Sequence, residues 1–148
     1  MPSLTRTFSI GLLLALATSH ATADEIDEIF RAQDSNGDNA ISVEEARAAA
    51  PAIFRRIDRD GNGVITVEEI AAYTVSESDP KTTWPAEVLT SVAQGTLQMW
   101  DANHDGKVTE QEYIDTTVTL LLLADTDGDR QVTREELQRF RGEPVTPK

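Results

Sequence analysis

Four segments of this chain set oxygen-bearing side chains at the same intervals. Asp58, Asp60, Asn62 and Glu69 occupy positions 1, 3, 5 and 12 of D-R-D-G-N-G-V-I-T-V-E-E. The spacing recurs as Asp34, Asn36, Asp38 and Glu45, as Asp101, Asn103, Asp105 and Glu112, and as Asp125, Asp127, Asp129 and Glu136. The chemistry this suits is the enclosure of a hard divalent cation. Calcium takes six to eight oxygens at about 2.3–2.6 Å and tolerates irregular geometry, so a twelve-residue loop serves it well with alternate side chains early and a bidentate carboxylate last. The residue at position 7 (Ala40, Val64, Lys107 or Gln131) lends a backbone carbonyl, and the Ser or Thr at position 9, such as Thr66, acts through water. Ordinary turns also use Asp, Asn and Gly. A turn, however, requires neither a glutamate seven residues after the last of these side chains nor an aliphatic residue at position 8.

These residues resemble the EF-hand family, and the resemblance runs from Asp24 to Gly142. It implies an all-α fold of four EF-hand helix–loop–helix motifs arranged as two pairs, with short β-bridges between paired loops. It also implies up to four Ca²⁺ ions on the side chains named above. Position 6 of such a loop makes a sharp turn that favours glycine. Loops two and three have Gly63 and Gly106 there, whereas loop one has Asn39 and loop four Arg130. Asn tolerates the left-handed conformation at small cost, but for Arg it costs roughly 1–2 kcal/mol. Loop four alone has four carboxylates, which offsets some of that strain. The expected ranking puts loops two and three first and loop four last.

The elements that position these loops are helices. Loop starts at Asp34, Asp58, Asp101 and Asp125 fall 24, 43 and 24 residues apart, two close doublets and a longer connection. The sequence divides into a signal peptide over 1–23, hands one and two over 24–76, a linker over 77–83, hands three and four over 84–142, and a flexible tail over 143–148. Phe30, Phe54, Leu97 and Leu121 each stand four residues before a loop, and Ile57 and Trp100 directly before one, where they should pack into the core. Ile41, Ile65, Val108 and Val132 at position 8 should form the β-bridges. Pro51 breaks or kinks the segment between loops one and two, unless it starts a second short helix there. Tyr113 to Ala124 reads as one helix whose Leu120–Leu123 run suggests burial on most sides. A long helix starts near Pro85. Two pairings remain open: one with two and three with four, or one with four and two with three.

Charge fits the same reading. The formal net charge is −13, and half of the 26 acidic residues stand at ligand positions. Such a chain offers no basic footprint for nucleic acid. Arg6, the apolar stretch Phe8 to Ala17 and the small residues Ala21-Thr22-Ala23 form an export signal, too short for a membrane span. The expected address is periplasmic or secreted. With no cysteine, no disulfide or lipid-modified cysteine is available.

The expected function is that of an exported calcium buffer or calcium-stabilised binding module. A sensor for one specific protein partner is an alternative, though Met99 is the sole methionine after the signal and a Met-rich docking surface is absent. The doublet spacing and export signal also resemble lanmodulin, a periplasmic EF-hand family, which would imply lanthanide binding. That family has Pro at position 2 and Asp at position 9, where this chain has Ser35, Arg59, Ala102 and Thr126, and then Ser42, Thr66, Thr109 and Thr133. Catalysis is not expected. His104, the one histidine after the signal, sits at the non-ligating position 4 of loop three, and no Ser or Thr has a base beside it.

Overall fold

The structure is a computed structural model that describes residues 23–142 and Val145. The expected signal over 1–23, apart from Ala23, and the expected tail, apart from Val145, lie outside the described residues. Helix α1 (Ala23–Gln33) leads into loop one and strand β1 (Ala40–Ser42). Helix α2 (Val43–Ile57), strand β2 (Val64–Ile65) and helix α3 (Val67–Glu77) follow. The second half repeats the order with α4 (Ala86–Trp100), β3 (Val108–Thr109), α5 (Glu110–Ala124), β4 (Gln131–Thr133) and α6 (Arg134–Phe140).

The two short sheets decide between the pairings. β1 pairs antiparallel with β4, setting Ile41 against Val132, and β2 with β3, setting Ile65 against Val108. Loop one therefore partners loop four, and loop two partners loop three. All four position-8 residues are buried. A two-stranded ribbon this short has little stability alone, so the helices on either side must hold it.

They do so in two apolar clusters. One gathers Ile26, Ile29 and Phe30 of α1, Val43 and Ala46 of α2, Val118, Leu121 and Ala124 of α5, and Leu137 of α6 around β1 and β4. The other gathers Ala50, Phe54 and Ile57 of α2, Ile70 and Tyr73 of α3, Ala93, Leu97 and Trp100 of α4, and Tyr113 of α5 around β2 and β3. The start of α2 and the end of α5 share the first cluster, while their opposite ends share the second. The two helices are thus antiparallel and span both clusters. Division of the chain at 77–83 is not a division of the core. That connector is itself tied down: Trp84 Nε1 donates to Ser78 Oγ at 2.9 Å, and Lys81 N to Asp79 Oδ1 at 2.8 Å.

Two local expectations need correction. First, α2 runs through Pro51 without a break. The carbonyl that proline leaves without its helical donor belongs to Arg47, an exposed residue that water can reach. Burial of Ala46 and Ala50 on one side and Phe54 and Ile57 beyond keeps the helix continuous across the defect. Second, the Leu120–Leu123 run is not buried on most sides. Leu121 is fully buried, but Leu122 and Leu123 are 39 % and 62 % exposed, since α5 packs on one face only at this end. Ile57 and Trp100, directly before loops two and three, are buried in the core as expected. Gln33 Oε1 and Trp100 Nε1, directly before loops one and three, are buried with no hydrogen-bond partner. Each costs about 1–3 kcal/mol, which apolar burial around them must outweigh.

Candidate metal centres

Each loop is folded around its own side-chain oxygens. In loop two the amides of Gly61 and Asn62 donate to Asp58 Oδ1 at 2.9 and 3.1 Å, and Gly63 N donates to Oδ2 at 2.9 Å. Asn62 N then donates to Asp60 Oδ1, and Val64 N to Asn62 Oδ1. The other loops repeat the pattern: position 5 donates to position 3 at Asp38–Asn36, Asp105–Asn103 and Asp129–Asp127, and position 7 to position 5 at Ala40–Asp38, Lys107–Asp105 and Gln131–Asp129. These bonds hold the Asx oxygens of positions 1, 3 and 5 on the inside of the turn. They are the local device by which Asx side chains fold a backbone about themselves.

The position-12 glutamate closes the ring. Glu45 Oε1 accepts from the amides of Ser35 and Asn36 at 2.9 and 3.1 Å, while its Oε2 accepts from Ser42 N at 3.0 Å. Glu69, Glu112 and Glu136 bridge the same two ends of their loops, with Arg59 N, Asn103 N and Thr126 N on Oε1 and Thr66 N, Thr109 N and Thr133 N on Oε2. Each glutamate is also the third residue of a helix. The position-9 hydroxyl, Ser42, Thr66, Thr109 or Thr133, is that helix's N-cap and completes a reciprocal capping box. The position-9 hydroxyl also donates to the same glutamate. One side chain thus starts a helix and closes an ion loop.

Hydrogen bonding keeps three of these glutamates, Glu45, Glu112 and Glu136, ionised. The Ser42 amide holds Glu45 down to about 2, against a counteracting push from burial. Burial drives Glu136 upward, yet the amides and hydroxyls of Thr133 and Thr126 together outweigh it and hold the group at about 2. The Thr109 amide lowers Glu112 in the same way. Carboxylates that stay charged while half-enclosed suit a cation.

Two loops show the convergence most fully. Carboxylate oxygens of Asp58, Asp60 and Glu69, and likewise of Asp125, Asp127 and Glu136, lie within 4.8 Å of one another. Oxygens on opposite sides of one calcium at about 2.4 Å stand about 4.8 Å apart, so either trio can share an ion. Loops one and three also have three carboxylates each, but at positions 1, 5 and 12, with the amides Asn36 and Asn103 at position 3. Loop four, placed last in the expected ranking, has the same trio as loop two. The strain foreseen at its position 6 is nonetheless present, with Arg130 at φ 67°. Arg130→Gly is expected to stabilise the calcium-loaded chain by about 0.5–1 kcal/mol, the relief of the left-handed strain less the added freedom of glycine when unfolded. Thermal melts in excess calcium check it.

Position 4 escaped the sequence reading. It too is left-handed in every loop, at Gly37, Gly61, His104 and Gly128. The recurrence of glycine there in three copies was the available signal. His104 is exposed. Burial raises both Tyr113 and Tyr73, the latter to about 12, so neither phenol ionises near neutral pH.

Residues 47–118 match the family model of an EF-hand domain pair, and residues 4–48 match a second model of the same description. No curated protein matches the chain. The matched residues stop short of loop four, whose hydrogen bonds nonetheless repeat those of the other three. Four loops with one bonding pattern, joined in two pairs by β-bridges and flanked by helices, together with these matches, make the chain a member of the EF-hand family of calcium-binding proteins.

Proposed function

We propose that this chain is an exported, non-catalytic protein that takes up to four calcium ions and acts as a buffer or a calcium-stabilised binding module. The observation that carries this reading is the closure of each loop by its position-12 glutamate, whose two oxygens bridge the loop's beginning and end. The ion would be held by the position 1, 3, 5 and 12 side chains and by the carbonyls of Ala40, Val64, Lys107 and Gln131. Export is inferred from the composition of residues 1–23. Among the described residues no helix is long and apolar enough to cross a membrane. Extracellular EF-hand modules bind calcium at about 10⁻⁴–10⁻³ M, where the ion is abundant, which favours standing occupancy over switching.

Titration calorimetry with Ca²⁺, Mg²⁺ and La³⁺ tests the reading. Four calcium sites are expected, and each of Glu45→Gln, Glu69→Gln, Glu112→Gln and Glu136→Gln should weaken its own loop at least ten-fold. A chain that binds no calcium would sink the proposal, as would metal-dependent turnover. A lanthanide carrier would instead hold La³⁺ against a large excess of Ca²⁺; the amides at position 3 of loops one and three argue for the divalent ion. A sensor with one protein partner gains support from the exposed apolar side chains Val75, Val88, Met99, Leu122, Leu123 and Phe140. A sensor would bind more of an apolar-surface dye on adding calcium, and a buffer less.

A further inference from the structure

Helices α2 and α5 each carry an ion loop at both ends. Glu45 of loop one sits in the first turn of α2, and Asp58 of loop two caps its C-terminus. Glu112 of loop three and Asp125 of loop four stand in the same relation to α5. Each helix has 15 residues and is a stiff rod about 22 Å long. Packed antiparallel, the two rods share one register, the axial and rotational setting of α2 against α5. β1–β4 reads that register at one end and β2–β3 reads it at the other.

Side chains beside the ligands transmit the setting. Tyr113, next to Glu112, meets Phe54 with ring centroids 6.0 Å apart and stands edge-on to Trp100, next to Asp101, at 5.0 Å. At the far end, Leu121 and Ala124 of α5 lie in one cluster with Phe30, four residues ahead of loop one. Packed interiors resist small slides, so a register fixed at one end is fixed at both.

We propose that calcium binding at loops one and four raises the affinity of loops two and three, and the reverse, through the common register of α2 and α5. This rests on the calcium reading above. An ion at either end favours the one helix setting in which the other end's ligands converge, and that preference is the differential affinity a coupling requires. Reciprocity follows: both ends must feel the same factor.

The test uses the full chain, calcium chloride, and the amide resonances of Gly63 and Gly106 for loops two and three and of Gly37 and Gly128 for loops one and four. In the double variant Glu45→Gln with Glu136→Gln, the calcium midpoints at Gly63 and Gly106 are expected to rise about ten-fold, within the usual range of such couplings. Glu69→Gln with Glu112→Gln should shift Gly37 and Gly128 by the same factor. Should the first double variant fail to fold, Asp34→Asn with Asp125→Asn is read identically, because its capping boxes are intact. Remote midpoints that stay within two-fold of the unaltered chain overturn the coupling while leaving the calcium reading in place. An unaltered chain that takes up no calcium overturns both.

Discussion

Stripping calcium from the chain is expected to remove about 11 kcal/mol of stability when each of four loops is held at a hundred times its dissociation constant, since mass action supplies roughly 2.7 kcal/mol per site. Native domains have only about 5–15 kcal/mol in total. The ion-free chain should therefore be loosely ordered, with trios such as Asp58, Asp60 and Glu69 left to repel one another at separations under 4.8 Å. Circular dichroism and thermal melts in excess chelator and in millimolar calcium measure the difference. A melting temperature indifferent to the chelator would refute it.

Phe54→Ala is expected to cost about 3–5 kcal/mol in the calcium-loaded chain, the range for deleting a buried aromatic ring. Phe54 is 2 % exposed, sits in the cluster under loops two and three, and packs its ring against Tyr113. Denaturant unfolding in excess calcium gives the value. Val88→Ala, at a 46 % exposed position on α4, should stay within about 0.5 kcal/mol and serves as the comparison. If the two losses proved equal, the cluster assignment would be wrong.

How much could be read without coordinates follows from how local each determinant is. The ligand spacing, the buried residues Phe30, Phe54, Leu97 and Leu121, and the bridging role of position 8 are all set within one loop and its flanks, and the structure has the burial and the bridges as expected. Pairing is different. Ile41, Ile65, Val108 and Val132 are interchangeable aliphatics on strands of two or three residues, so nothing in them names a partner. Partner choice lies in the helices, above all in whether α2 is one rod or two. Pro51 pointed toward two by its local preference, and tertiary burial at both ends of α2 overrode it. The leucine run misled for a related reason: four adjacent apolar residues must circle a helix, whereas α5 has a neighbour on one side at Leu122 and Leu123.

The nesting of the strands bears on how this polypeptide is born. Ala40 has to wait for Thr133, and Val64 for Thr109, so the inner bridge can zip while the outer one still lacks its mate. Of the four hands, the one that comes first in the sequence cannot be completed until Gln131–Thr133 have been made. Long-range closures of this kind slow folding relative to neighbour-to-neighbour ones.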